Sequence, residues 1–332
     1  MAGSRVKPQA LPEKARIAVV APASPPQTRS ETEQAVEYFT KRGHEVLLGP
    51  NHSKVHGYLA GTDAERAADL QWALSEPGID MVHTLCGGYG AARLHDLIDW
   101  DAVGDPRIVC GFSDITALHL ALAAHAGWVT FYGPNFLRFT RRKDELTEET
   151  EKWFHRAFQP EALGRVFEDP EDPYVLTVGD GGSAEGPLVG GCLTLLAASI
   201  GTPFEFDATG CVLMAEDLNT DPYLIDTLLN HLIRAGKLDG VAAFVLGTSV
   251  NLSYQTLPEG PESTLSIEEM LDELIAPLGI PAIANVPCGH GKHMATLPLG
   301  VRAKVDADAK YLEILEPAVG AQSAGGGEGA SR

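Results

Sequence analysis

Long apolar runs are missing. Nothing in the 332 residues approaches the roughly 20 consecutive apolar positions of a membrane-spanning helix. The first 14 residues lack the apolar stretch of a secretion signal. Basic residues are scarce. Only 25 Lys and Arg stand against 45 Asp and Glu, a formal net charge of −20. This balance argues against a nucleic-acid partner, which needs clustered cations for phosphates, and against an anionic membrane surface; it favours solubility instead. Cysteine is sparse and scattered. Cys86, Cys110, Cys192, Cys211 and Cys288 form no CxxC pair. Their odd number and wide spacing imply reduced thiols in a cytoplasmic protein rather than disulfides or zinc. There is no internal repeat, no His-x-x-x-His helix, and no dinucleotide or Walker spacing of glycines.

What remains is an ordinary globular composition, 44% apolar and 21% charged, long enough for about two domains. Short apolar runs at 16–21, 45–48, 79–85 and 128–132 alternate with helical patterns at 31–42, 63–74 and 91–98. Such alternation implies βαβ units and a parallel sheet, with ligands bound at the carboxyl ends of the strands. The second half repeats the style. It has apolar runs at 211–215, 241–246 and 281–286, helices at 223–235 and 266–278, and two last strands near 299–305 and 310–315. The expected organisation is a flexible arm over 1–15, a nucleophile-bearing domain over 16–137, and a charged linker or mobile flap over 138–185. A C-terminal domain over 186–318 and a disordered Gly/Ala/Ser tail over 319–332 complete it.

The most informative stretch is Arg107-Ile-Val-Cys-Gly-Phe-Ser113-Asp114 and the helical pattern that follows. Strand, sharp turn and helix put the Ser113 hydroxyl at a strand end beside the N–H groups of a helix start, which a nucleophile requires. The plain alternative is that Ser113 or Asp114 only caps the helix. A serine nucleophile needs a base and an orienting acid. Glu216 follows the apolar run Val-Leu-Met-Ala, and His290 lies in Gly-His-Gly. The order Ser…Glu…His is that of α/β-hydrolases, yet Ile115 stands where their motif has glycine. A solvated Glu216 and a solvent-facing His290 are the competing readings, as is a metal held by His290, His293 and a carboxylate. Gly87-Gly88-Tyr89-Gly90, at the preceding strand end, lacks phosphate-loop spacing and suits an oxyanion hole better.

These segments, in order, resemble the LD-carboxypeptidase family of serine peptidases, which includes muropeptide LD-carboxypeptidases and microcin C immunity-type peptidases. The matching stretches are Ala18-Val-Val-Ala-Pro-Ala-Ser24, Gly87-Gly-Tyr-Gly-Ala-Ala-Arg-Leu94, Gly111-Phe-Ser-Asp-Ile-Thr-Ala-Leu118 and Tyr132-Gly-Pro134. Gly190-Gly-Cys-Leu-Thr-Leu-Leu196, Gly201-Thr-Pro-Phe204, Met214-Ala-Glu-Asp217, Gly289-His-Gly291 and Thr296-Leu-Pro-Leu-Gly300 follow. The resemblance implies a fold of the α/β class, a flavodoxin-like parallel-sheet domain followed by a mixed α/β domain. It implies Ser113 as nucleophile, His290 as base, Glu216 as its orienting acid, and an oxyanion hole from the Gly88 and Asp114 N–H groups. It further implies a homodimer, a peptide-like small-molecule substrate, and no cofactor or metal. Two departures stand beside the glycine loops. Cys86 replaces an arginine common in the family, and Cys192 replaces an asparagine. Both bear on substrate identity, as do Tyr89 and the positional carboxylate-clamp candidates Arg93, Arg138 and Lys292. The open alternatives are a muropeptide carboxypeptidase, an immunity-type or biosynthetic amidase, and a catalytically silent binding protein on the same fold.

Overall fold

Along the first strand, β1 (Arg16–Val20), Ile17 and Val19 enter one apolar cluster while Ala18 and Val20 enter another. A strand buried on both faces belongs in the middle of a parallel sheet. This computed structural model describes residues 5–140, 146–166, 175–218, 221–248 and 265–321. β1 pairs in parallel with β2 (Glu45–Leu48) and with β3 (Met81–Thr84). β4 (Ile108–Gly111) and β5 (Thr130–Tyr132) continue the sheet in parallel. The intervening helices are α1 (Arg29–Thr40), α2 (Asp63–Ser75) and α3 (Thr116–His125). The first two start with capping boxes, Thr28 with Glu31 and Thr62 with Glu65, each cap contributing about 1 kcal/mol. The helical pattern at 91–98 folds instead as a 3-10 turn, Ala91–Leu97.

The second sheet is built from β6 (Gly164–Arg165), β7 (Leu176–Val178), β8 (Ser183–Cys192), β9 (Val212–Glu216), β10 (Ala243–Gly247) and β11 (Ala282–Val286). After β12 (Leu297–Leu299), which belongs elsewhere, come β13 (Arg302–Asp306) and β14 (Tyr311–Ile314). The strand order is β6-β14-β13-β8-β9-β10-β11-β7, with a parallel centre and antiparallel edges. α4 (Glu148–Arg156), α5 (Leu193–Ser199), α6 (Pro222–Arg234) and α7 (Ile267–Leu274) complete the framework. Ser266 and Glu269 form the expected capping box on α7, which ends earlier than 278 because a separate 3-10 turn, Ala276–Leu278, follows. No helix among the described residues is long and apolar enough to cross a membrane.

Four sequence boundaries fall differently in the fold. The stretch read as one strand at 299–305 is two. β12 pairs antiparallel with β5 in the first sheet, and β13 pairs with β8 in the second. The chain therefore stitches the sheets together, and one apolar cluster runs from Ile17 and Phe131 to Met214 and Ile283. Residues 5–15, expected as a flexible arm, are docked. Val6 bridges Trp128, Ala10 N–H donates to Gly320 O at 3.1 Å, and Ala10 and Ala15 are buried in the main core. Val319, expected in the disordered tail, is buried together with Ala318; 322–332 lie outside the described residues. The span 138–185, expected as a linker or flap, contributes α4 and two edge strands. Trp153 and Phe154 bury the apolar side of α4 in the core, and Phe158, just beyond the helix, joins them. Its remaining parts, 141–145 and 167–174, lie outside the described residues.

Candidate active site

β4 is buried throughout and ends at Gly111. Phe112 is extended, and Ser113 then adopts a left-handed backbone with φ 65°. An L-residue other than glycine pays roughly 1–2 kcal/mol for that conformation, so its neighbours must hold it there. They do so from both sides. The Ser113 N–H donates to the Tyr132 phenol oxygen at 3.1 Å, and the Thr116 hydroxyl donates to Ser113 O at 2.7 Å. One residue earlier, Asn135 Oδ1 accepts the Phe112 N–H at 3.2 Å, and His119 Nε2 contacts Gly111 O at 2.9 Å. Cys192 N–H also donates to the Thr116 hydroxyl, at 2.9 Å. The end of β8 is thereby tied to the first turn of α3.

The glycine loop after β3 abuts this turn. A Cβ on Gly87 would lie 3.0 Å from Ser113 Cβ, so only glycine lets the loop approach this closely. The Asp114 carboxylate, expected at its own helix start, instead accepts the Ala91 N–H at 2.8 Å, capping the turn that follows the glycine loop. Burial pushes this carboxyl from 3.8 up to about 6, although the Ala91 and Gly90 N–H groups and Arg66 pull it down. A folded-state value above the unfolded one means that Asp114's stabilising contribution is complete below pH 3.8 and is lost as the pH rises through about 6. Asp114→Asn keeps an acceptor for Ala91 and carries no charge. It is expected to unfold at pH 7.5 with at least wild-type stability, gaining up to about 2 kcal/mol, and to lose that advantage at pH 4. Thermal melts across this range check it; a variant several degrees less stable at pH 7.5 contradicts it.

Glu216 ends β9 with no solvent exposure, and His290 follows β11 in a loop. His290 Nδ1 lies 2.7 Å from Glu216 Oε2, and the His290 N–H donates to the same oxygen at 3.2 Å. A carboxylate only accepts, so Nδ1 carries a proton, and in the neutral imidazole Nε2 is left with its lone pair. Gly289 permits this approach, because a Cβ there would fall 2.2 Å from Glu216 Oε2. Phe112 packs on the imidazole with ring centroids 4.8 Å apart. The other Glu216 oxygen accepts the Tyr132 O–H.

Ser113, Gly88, Asp114 and His290 line one cleft of about 810 Å³ at the carboxyl ends of the parallel strands. Its size suits a small ligand. Cys86 and Cys192 line it too. Cys86 Sγ donates to Ser24 O at 2.9 Å, and Cys192 Sγ contacts Asp217 Oδ1 at 3.8 Å. Burial pushes the Cys192 thiol well up, which keeps it neutral and unreactive. Tyr89 stands 68% exposed at the rim, edge-on to Tyr58. Of the three clamp candidates only Arg138 lines the cleft, and its Nη2 donates to Gly291 O at 2.7 Å, steadying the His290 loop. Arg93 is turned to Asp63 at 2.7 Å, and Lys292 is exposed outside the cleft lining. Among the described residues no group of three or more His, Cys, Asp or Glu side chains converges as a metal ligand set.

Two contributors escape sequence reasoning. Tyr132 occupies the Tyr-Gly-Pro segment, where only its place at a strand end hinted at a role. Asp217 sits beside Glu216 but faces away from it, accepting the Thr194 N–H and hydroxyl at 3.0 and 2.7 Å, and so caps α5. The sequence reading assigned Glu216 to the histidine and gave its neighbour Asp217 no role.

Known proteins resemble this chain along most of its length. The model of the LD-carboxypeptidase N-terminal domain matches residues 17–133, and that of the C-terminal domain matches 185–305. The probable murein peptide carboxypeptidase of Bacillus subtilis (strain 168) is 36% identical, over 94% of this chain and 95% of its own length. The microcin C7 self-immunity protein MccF of Escherichia coli is 27% identical over 85% of this chain and 87% of its own. The crystal structure of the muramoyltetrapeptide carboxypeptidase from Oxalobacter formigenes superposes with a TM-score of 0.76 at 31% identity, covering 90% of this chain and 98% of that one. The matches run through both halves that supply the cleft, and the chain belongs to the LD-carboxypeptidase family.

Proposed function

We propose that this protein is a serine peptidase that removes a terminal D-alanine from muropeptides through an acyl-enzyme on Ser113. The observation carrying this reading is the buried Glu216–His290 pair, 2.7 Å apart, on the same cleft as the left-handed Ser113. In this mechanism His290 Nε2 takes the Ser113 proton as Oγ attacks the carbonyl. The Gly88 and Asp114 N–H groups hold the oxyanion. His290 returns the proton to the leaving amine, and water then hydrolyses the ester. Glu216 keeps the imidazole in the required tautomer. Arg138, the clamp candidate on the cleft wall, would meet the substrate's free carboxylate. The reading extends to a cytoplasmic homodimer acting on peptide-like small molecules.

The relatives named for murein peptides share more identity with this chain than MccF does, which favours the muropeptide over an aminoacyl-nucleotide conjugate. The test offers the protein a tetrapeptide ending in an L-centred diamino acid and D-alanine, and separately a glutamyl sulfamoyl nucleoside. Mass spectrometry should find free D-alanine from the first and no turnover of the second. The reverse pattern transfers the protein to the immunity branch. Binding of both without turnover of either makes it a silent binding protein.

A further inference from the structure

We propose that Tyr132 is a positioning residue that couples the nucleophile to the acid: one phenol holds the Ser113 backbone and orients Glu216 toward His290. The inference rests on the serine-peptidase reading above and goes beyond it.

Tyr132 ends β5, fully buried. It is register-paired to Gly111 of the nucleophile strand and to Leu297 of β12, the strand reached after the His290 loop. It therefore stands where the two halves of the chain meet. Its hydrogen-bond directions are forced. A backbone N–H can only donate, so the phenol oxygen accepts from Ser113. An ionised carboxylate can only accept, so the phenol O–H goes to Glu216 Oε1. Burial, with the nearby Glu216 charge, pushes the phenol far up, so the donated proton stays in place.

Two consequences follow. The Ser113 N–H is taken by Tyr132, which leaves Gly88 and Asp114 to provide the oxyanion hole. Glu216 in turn has each oxygen engaged, Oε1 by Tyr132 and Oε2 by the His290 ring and backbone. Three donors fix the plane of this buried carboxylate. Without the phenol, Oε1 loses the donor that Tyr132 supplies, and the carboxylate is no longer held in the orientation that meets His290. The competing view is that Tyr132 only fills the core, where its ring joins the main apolar cluster.

Tyr132→Phe separates the two, since it keeps the ring and removes the hydroxyl. The rate of Ser113 labelling by a fluorophosphonate probe reads nucleophile activation without depending on substrate identity. Labelling is expected to slow by about 10- to 100-fold. With the tetrapeptide, kcat should fall while KM stays near wild type. Replacement of Tyr132 by 3-fluorotyrosine, which retains the hydroxyl, should restore labelling to the wild-type rate. Equal labelling rates and equal kcat in Tyr132→Phe and wild type overturn the positioning role and leave the serine-peptidase reading intact. Failure of wild-type Ser113 to label overturns the nucleophile assignment and this role with it.

Discussion

Ser113→Ala lowers amide turnover by at least about a thousandfold, with little change in substrate affinity. The hydroxyl is the attacking atom in the proposed mechanism, and no neighbouring side chain in the cleft replaces it. Cys86 and Cys192 share the cleft, yet Cys192 is a buried thiol held neutral and Cys86 is bonded to Ser24 O. Stability should barely move, because alanine keeps the same Cβ in the same left-handed backbone. Ser113→Gly adds a contrast. It removes the strain and should stabilise the fold by up to about 1 kcal/mol, while being as inactive as alanine. This opposition, a more stable yet inactive protein, is the signature of strain kept for chemistry. Steady-state D-alanine release and thermal melts measure both halves. Turnover surviving in Ser113→Ala at wild-type level would remove serine from the mechanism.

Glu216→Gln is expected to cost about 10³- to 10⁴-fold in kcat/KM. The change is nearly isosteric, so β9 and its surroundings should keep their packing. Its chemistry is different. Glu216 accepts from the Tyr132 O–H, the His290 ring and the His290 N–H. A glutamine places an NH₂ among these donors. If it faces His290, Nδ1 must accept, the imidazole proton moves to Nε2, and the base can no longer take the serine proton. If it faces Tyr132, the phenol must turn and the amide oxygen is a weaker partner for the imidazolium that forms. Either arrangement impairs the same step. Comparing kcat/KM with melting temperature distinguishes this from unfolding. A loss below tenfold in a folded variant would mean that Glu216 does not orient the base.

Much of this was legible in local sequence because local physics writes it there. The capping box at Ser266 and Glu269 spans three residues and forms as read. The strand, turn and helix around Ser113 are visible as an apolar run that stops at Gly-Phe-Ser-Asp. Other readings went astray where a distant partner decides. The helical pattern at 91–98 tightens into a 3-10 turn while Asp114, 23 residues away, caps its first N–H. Residues 5–15 have no periodic pattern, yet they dock because Gly127, Gly320 and Phe158 offer backbone partners. The stretch at 299–305 reads as one strand, but it divides between two sheets. Alternation specifies a strand and leaves its neighbour unspecified.

The sequence by itself determined the chemistry-bearing residue types and the turns that present them: a serine at a strand end, glycines before it, and a histidine between two glycines. It also determined the alternating pattern from which a parallel sheet follows. Tertiary structure alone decided that Asp217 turns away to cap α5, that Asp114 caps the neighbouring loop, and that Tyr132 contacts both the Ser113 backbone and, 84 positions along the chain, Glu216. The reason is physical. Caps and turns are satisfied by atoms a few residues away, whereas a buried carboxylate takes whichever donors the packed sheets bring to it.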